Sequence, residues 1–364
     1  MDKDSKIYIA GHRGLVGSSI LNKLQNEGFN NLVYKSSKEL NLIRQKDTED
    51  FFYSCKPDYV FLAAGKVGGI LANSTYSAEF IYNNLSIALN VIHSSYLFGV
   101  KKVLNLGSSC IYPKYTSQPM KEEYLLSGSL EPTNEAYAIA KISAIKLCRY
   151  YNEQYNTNFI SVMPTNLYGY NDNYNLETAH VLPALIRKFH LAKLLSEKNY
   201  EALVVDIKKC SVGFGIDKTI NLEDESSISN NLSKLGITKD YVLLWGTGEV
   251  YREFLYAGDL ADACIFLMNN YDYKDIGELI NIGTGEDIKL SSLASAIKDV
   301  VGFGGYIKHD PSKPDGTPKK LLDVTRIKVL GWEAKTTLKE GIKRVYKGYS
   351  EKTKKCLNKK LRNT

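Results

Sequence analysis

Lys6-Ile7-Tyr8-Ile9-Ala10-Gly11-His12-Arg13-Gly14-Leu15-Val16-Gly17-Ser18-Ser19-Ile20-Leu21-Asn22-Lys23-Leu24 is the stretch that decides how the chain reads. A short apolar run passes into a turn with three glycines and then into a helix-compatible segment, the order strand, glycine turn, helix. Gly11 and Gly14 permit a tight turn whose backbone can approach a pyrophosphate at the positive end of the helix, and Gly17 lets helix pack closely on sheet. Leu15 and Val16, between Gly14 and Gly17, belong to the same expected dinucleotide-binding stretch. A turn that merely happened to hold three glycines would not be flanked by both elements.

Working outward, Asn31-Leu32-Val33-Tyr34-Lys35 reads as the second strand, whose end should lie beside the adenosine ribose. An acidic residue there would select NAD; Lys35 here, with Arg13 in the glycine turn, suits a 2′-phosphate, so NADPH is the predicted cofactor. Apolar runs at 58–64, 102–106 and 159–163 alternate with helical stretches near 47–55, 78–97 and 135–155. A helix near 259–270 then precedes a buried-strand pattern, Leu279-Ile280-Asn281-Ile282-Gly283. The fold expected is α/β: a Rossmann-type doubly wound parallel sheet with a smaller α/β substrate lobe. Residues 1–166 with a returning segment 256–285 should form the NADP-binding domain, 167–255 and 286–350 the lobe, and 351–364 a basic tail.

The 364 residues are 44% hydrophobic and 24% charged, close to soluble averages, and contain no apolar run long enough to span a bilayer. Met1-Asp2-Lys3-Asp4-Ser5-Lys6 lacks the apolar core of a signal peptide, so a cytoplasmic location without membrane association is expected. Cys55, Cys110, Cys148, Cys210, Cys264 and Cys356 lie far apart with no CxxC spacing, which argues against a disulfide framework and against a metal site. The formal charge of +7 suits an anionic ligand. Part of it sits on Lys352, Lys354, Lys355, Lys359, Lys360 and Arg362, which read as a solvated end rather than a nucleic-acid site.

Tyr137-Ala138-Ile139-Ala140-Lys141 places a phenol and an ammonium one helical turn apart on one face. A nearby cation should favour the phenolate and bring Tyr137 toward the working pH, so that it can exchange a proton with a carbonyl while hydride arrives. Upstream, Leu104-Asn105-Leu106-Gly107-Ser108-Ser109-Cys110 ends a buried strand in hydroxyls. Ser108, Tyr137 and Lys141 together form the set a hydride-transfer site requires, with Ser108 as donor to the carbonyl oxygen.

The motifs Gly11-His12-Arg13-Gly14-Leu15-Val16-Gly17, Ala64-Gly65-Lys66-Val67-Gly68-Gly69-Ile70, Ser108-Ser109-Cys110-Ile111-Tyr112-Pro113-Lys114 and Glu131-Pro132-Thr133-Asn134 resemble GDP-L-fucose synthase. So do Met163-Pro164-Thr165-Asn166-Leu167-Tyr168-Gly169, His180-Val181-Leu182-Pro183-Ala184-Leu185 and Lys313-Pro314-Asp315-Gly316-Thr317-Pro318-Lys319-Lys320, so the likeness covers nearly the whole chain. The resemblance implies an extended short-chain dehydrogenase/reductase in which one site epimerises a GDP-4-keto-6-deoxy sugar at C3 and C5 and then reduces C4 with NADPH. It implies Ser108, Tyr137 and Lys141 for reduction and Cys110 with His180 as the epimerisation pair. Ala63, Ala64, Gly65, Pro164, Asn166 and Leu167 would add to the cofactor site. Ser109, Asn166, His180, Lys188, Trp245, Arg252 and Lys320 would face the GDP sugar, with Arg187 substituting for or assisting Lys188. A homodimer built from the helices near 78–97 and 134–155 is also implied.

Two departures bear on substrate. The loop Tyr170-Asn171-Asp172-Asn173-Tyr174-Asn175-Leu176-Glu177-Thr178-Ala179 lacks the family's usual proline, and the segment near 195–241 is longer than the family norm. That segment reads either as surface elaboration or as a pocket reshaped for a longer GDP sugar such as a 4-keto-heptose, with Cys110 and His180 then inherited but weakly used. A nucleotide-sugar dehydratase or 4-epimerase is disfavoured by Ser108-Ser109-Cys110, which offers no acidic pair. A non-catalytic dinucleotide sensor is disfavoured by the intact Ser108, Tyr137 and Lys141.

Overall fold

The computed structural model describes residues 1–313 and 315–361, except the side chains of Ile70 and of 352–361. Pro314, Arg362 and the side chains of Lys352, Lys354, Lys355, Cys356, Lys359 and Lys360 therefore lie outside the described residues. In chain order the elements are β1 (Ile7–Ala10), α1 (Leu15–Asn26), β2 (Leu32–Val33), α2 (Gln45–Cys55), β3 (Tyr59–Leu62), α3 (Ile70–Thr75), α4 (Ser77–Leu97), β4 (Lys102–Leu106), α5 (Glu135–Tyr155), β5 (Phe159–Pro164) and β6 (Asn166–Tyr168). Then come α6 (Val181–Ser196), α7 (Tyr200–Lys209), α8 (Glu225–Ser233), β7 (Tyr241–Trp245), β8 (Tyr251–Tyr256), α9 (Ala257–Asn270), α10 (Tyr273–Ile276) and β9 (Ile280–Ile282). The chain closes with β10 (Asp287–Lys289), α11 (Leu290–Val301), β11 (Tyr306–Asp310), β12 (Lys319–Lys320), α12 (Thr325–Val329) and α13 (Leu338–Leu361).

These elements divide into two units. The first comprises Met1–Asn171, Glu253–Glu286 and Lys320–Thr336; the second comprises Asp172–Arg252, Asp287–Lys319 and the chain from Thr337 onward. The sequence reading placed all of 286–350 in the smaller lobe, and for Lys320–Thr336 that is corrected. Leu322, Val324, Ile327 and Trp332 are buried in the core of the first unit, and their apolar surface draws the segment back to it.

The first unit is an α/β structure around a six-stranded sheet of order β2-β1-β3-β4-β5-β9, every pairing parallel. Residues alternate between its faces. Ile7, Ile9, Phe61, Leu104 and Val162 pack with Ile20 and Leu24 of α1 and Leu260 of α9, whereas Tyr8, Ala10, Val60, Leu62 and Phe159 pack with Phe52 of α2, Val91 of α4 and Cys148 of α5. Both faces are covered, which is why the strands read as unbroken apolar runs. The strand predicted over 31–35 shrinks to Leu32–Val33, because Tyr34 and Lys35 are exposed beyond its pairing with β1. The order reverses between β1 and β3, and the carboxyl ends there form the crevice where doubly wound sheets bind ligands.

In the second unit β7 and β11 pair in parallel, Tyr241 opposite Tyr306 through Trp245 opposite Asp310. The long segment after α6 is ordered by helix caps: Asn199 accepts from the Ala202 N–H to start α7, and Asp224 accepts from the Ser226 and Ser227 N–H groups to start α8. A buried guanidinium anchors it. Arg187 of α6 donates from Nε to Asp206 of α7 (3.0 Å) and from its Nη atoms to the carbonyls of Tyr174 (2.9 Å), Ser211 (2.7 Å) and Cys210 (2.5 Å). The Tyr349 hydroxyl of α13 donates to the other oxygen of Asp206. Burial pulls against the charge, but Asp206, Tyr349 and Cys210 together more than offset it and hold Arg187 above its ordinary value. Asp206→Ala leaves the guanidinium unpaired in the interior, so it should destabilise the protein by about 3–5 kcal/mol, read as a lower midpoint of chemical denaturation.

Candidate active site

Backbone contact builds the site first. Gly11 sits at φ +88°, and a Cβ there would lie 2.7 Å from the Ala63 carbonyl carbon and the Ala64 nitrogen, so the glycine turn rests directly on the end of β3. Gly17 is held as tightly, since its Cβ would come within 2.2 Å of the Gly11 carbonyl oxygen. Gly14 caps α1, and among the described residues no side chain caps this helix and its first turn holds no acid. Its N–H groups are thereby left to an anion, which fits a dinucleotide pyrophosphate. Arg13 and Lys35 are exposed, and both act electrostatically on Glu39. Sequence reasoning passed over Glu39: hydrogen bonds from the Ser36 hydroxyl and N–H hold its carboxyl below the usual range and tie it back to its own loop.

At the next strand end β4 delivers Ser108 in extended geometry, followed by a single turn of tight helix, Ser109–Ile111. The Ser108 Oγ accepts from the Cys110 N–H at 3.4 Å and from the Cys110 thiol at 3.2 Å. Cys110 and Ser109 are buried, with 7% and 4% exposure. α5 supplies Tyr137 and Lys141 on one face. The Lys141 Nζ donates to the Leu106 carbonyl at 2.7 Å and lies 5.8 Å from the Tyr137 ring centroid. Ser108, Cys110, Tyr137 and Lys141 are thus brought together in one unit.

The electrostatics differ from expectation. Proximity to the ammonium was expected to lower the Tyr137 pKa; burial instead pushes the phenol up, the Cys110 charge adds to the rise and hydrogen bonding with Ser108 opposes it. Tyr137 is a neutral acid. Burial also lowers Lys141 to about 8, with Cys110 acting in the opposite direction. A neutral phenol beside a hydroxyl donor can protonate a carbonyl oxygen as hydride reaches its carbon.

Asn84 of α4 completes the cluster and was not foreseen. Its Oδ1 accepts from the Lys66 N–H at 3.0 Å and its Nδ2 donates to the Lys66 and Phe80 carbonyls, fixing the backbone after β3. A Cβ on Gly65 would meet Asn84 Oδ1 at 2.6 Å and lie 3.9 Å from the Lys141 Nζ. The glycine turn, the Ala63-Ala64-Gly65 backbone and Lys141 thus form one continuous chain of contacts. Pro164 is buried at the end of β5, with Leu167 and Asn166 partly exposed in β6, where the Asn166 amide donates to the Glu253 carbonyl at 2.8 Å. Glu253, fully buried, accepts from the Thr284, Gly285 and Leu322 N–H groups and so fixes the backbone two residues after the partly exposed Lys320.

In the second unit Lys188 spends two donors on the Leu235 and Leu243 carbonyls at 3.0 and 3.1 Å, and burial lowers it to about 8. Trp245, 59% exposed, ends β7, and the Lys313 Nζ lies 5.8 Å from its ring. Arg252 bonds the Tyr251 carbonyl at 2.7 Å, and Gly316 lies beside its guanidinium. His180 is exposed at the N-cap of α6; it falls in the second unit and Cys110 in the first. The role suggested for Arg187 is corrected: fully buried and bonded to Asp206 and three carbonyls, it has no guanidinium face to offer a substrate. Among the described residues, no group of three or more His, Cys, Asp or Glu could hold a metal ion, and Cys55, Cys110, Cys148, Cys210 and Cys264 are free thiols.

A parallel sheet with a glycine turn at its switch point and a Ser/Tyr/Lys cluster at the ends of its strands defines a dinucleotide-dependent oxidoreductase type of site. Comparison with known proteins narrows this. Residues 7–206 and 210–283 match the NAD dependent epimerase/dehydratase family. GDP-L-fucose synthase 1 of Arabidopsis thaliana is 49% identical over 348 residues, covering 96% of this chain and 94% of that one. A solved GDP-6-OMe-4-keto-L-xylo-heptose reductase from C. jejuni is 43% identical with a TM-score of 0.89, covering 97% of this chain and 99% of the other. A GDP-mannoheptose C4 reductase from Campylobacter jejuni with NADP bound is also 43% identical, with a TM-score of 0.84 and coverage of 96% and 99%. The chain belongs to the NAD dependent epimerase/dehydratase family and, within it, to the GDP-L-fucose synthases.

Gly17→Ala drives a methyl group into the Gly11 carbonyl, so it should cost about 1–3 kcal/mol and lower the melting temperature.

Proposed function

We propose that this chain is an NADPH-dependent oxidoreductase that reduces the 4-keto group of a GDP-4-keto-6-deoxy sugar, coupled to epimerisation at C3 and C5. The observation that carries the reading is the cluster of Ser108, Cys110, Tyr137 and Lys141 at the end of β4, linked through Gly65 to the glycine turn. Gly11, Gly14, Gly17, Arg13 and Lys35 would hold NADPH, with the two cations on the 2′-phosphate. When bound, the cofactor supplies a hydride. Ser108 orients the sugar carbonyl by hydrogen bonding, and Tyr137 gives its proton to the oxygen. Lys141, anchored on the Leu106 carbonyl, supplies positive charge near the oxygen.

For epimerisation the 4-keto group acidifies the C3 and C5 protons; Cys110 would remove them as thiolate and His180 return them from the other face. The charge on Cys110 also raises the Tyr137 pKa. While the thiolate acts as base, Tyr137 therefore keeps its proton for the reduction. Lys188, Trp245, Arg252 and Lys320 are the proposed GDP contacts, with Ser109 and Asn166 near the sugar.

A second reading, C4 reduction of a GDP-4-keto-heptose with little epimerisation, is supported by the likeness to the two heptose reductases. Incubation with NADPH and GDP-4-keto-6-deoxymannose in deuterated water separates the two. NADPH oxidation with deuterium at C3 and C5 is expected; oxidation without deuterium leaves a C4 reductase, and no oxidation, with turnover of a GDP-4-keto-heptose instead, favours the second reading. Tyr137→Phe should abolish turnover while NADPH still binds; unchanged turnover would sink the catalytic assignment. Because a lysine is charged below its pKa, reductase activity should fall as pH rises through about 8, where Lys141 loses its proton.

We also propose a homodimer and a cytoplasmic location. Tyr82, Leu89 and Leu97 of α4 and Ile139, Tyr150 and Tyr155 of α5 are exposed along two helices that pack together, an apolar face suited to a second copy. Among the described residues no helix is long and apolar enough to cross a membrane. Leu89→Asp should yield monomers in light scattering.

A further inference from the structure

Phe214 lies in the long segment after α6 and is held in a way that packing alone does not explain. Its backbone is left-handed at φ +55°, a region bulky side chains avoid, between Gly213 at φ +89° and Gly215 at φ +72°. Such strain persists only where the surroundings over-determine it. Here they do. The Phe214 N–H donates to Glu177 Oε2 at 2.7 Å, and Asp217 accepts from the Ser211 hydroxyl (2.6 Å) and from the Val212 (2.7 Å) and Gly213 (2.8 Å) N–H groups. Gly213 is pressed so close to the loop before His180 that a Cβ would fall 2.7 Å from the Glu177 Cβ. The Arg187 guanidinium ties the same two segments from beneath through the Tyr174 and Ser211 carbonyls.

This bracing does not bury the ring. Phe214 remains 38% exposed and meets Trp245, 59% exposed, with centroids 6.5 Å apart at 64°. Two half-open aromatic rings set at an angle, with Lys313 5.8 Å from the indole, form an L-shaped apolar corner. A planar, electron-rich ring can stack on one wall of such a corner and meet the edge of the other. We infer that Phe214 is a nucleotide-binding residue: with Trp245 it receives the nucleobase of the nucleoside diphosphate. The long segment would then be part of the substrate site rather than surface elaboration. The inference rests on the GDP-sugar reading above.

The test is calorimetric titration of the full chain with GDP and, separately, with NADPH. Phe214→Gly suits it because glycine adopts the left-handed conformation without strain, so the melting temperature should not fall. The variant should bind GDP about threefold to tenfold more weakly, the range expected for one aromatic contact, with NADPH affinity unchanged. Phe214→Tyr, which keeps the ring, should restore GDP affinity to within about twofold of the original. Equal GDP affinity in the wild-type chain and in Phe214→Gly would overturn this inference alone. A wild-type chain that does not bind GDP would overturn it together with the reading on which it rests.

Discussion

Everything in the first unit depends on one close approach, the backbone of the glycine turn resting against the carboxyl end of β3. No side chain fits between Gly11 and the Ala63–Ala64 peptide, and Gly17 must be equally bare for α1 to start where it does. That contact sets the N-terminus of α1 at the switch point of the sheet, where its free N–H groups and positive dipole face the crevice. The Ala63-Ala64-Gly65 backbone then carries the register onward to Asn84 and Lys141. The proposed dinucleotide cradle and the proposed proton-transfer cluster are joined by main chain, the least compliant material available.

The cluster illustrates how competing electrostatic effects are decided by burial. A lysine one turn from a tyrosine would, in water, pull the phenol toward ionisation. In the structure, desolvation prevails for both groups: Tyr137 is held neutral and Lys141 is lowered to about 8. For reduction this is the useful outcome, since a carbonyl oxygen gaining negative charge needs an acid. Cys110 reinforces it, because its charge opposes phenolate formation.

In the second unit a different solution holds a long connection in place. Arg187, Asp206 and Tyr349 form a buried polar network in which α6, α7, α13 and the loop before His180 meet. Such a network carries a desolvation cost, and its return is geometric: it fixes which backbone groups sit beside one another. Phe214 and Trp245 are presented on that frame, one from the long segment and one from the end of β7.

The sequence by itself determined the parallel sheet, the glycine turn and the helical spacing of Tyr137 and Lys141, because these rest on local periodicity and on residues a few positions apart, while the family came from the resemblance of motifs spread along the chain. Helix α5, expected near 135–155, runs from Glu135 to Tyr155, since its pattern is long. Tertiary structure decided what depends on distant partners. Arg187 and Lys188 are adjacent cations of the same helix and cannot be told apart by chemistry along the chain; the fold buries one on Asp206 and leaves the other on two carbonyls. Asn84, Glu253 and Phe214 could not be assigned along the chain, because the groups that give them their roles lie 18 to 69 residues away. The protonation of Tyr137 belongs to the same class, since the cost of ionising a phenol is set by how much water the finished fold leaves around it.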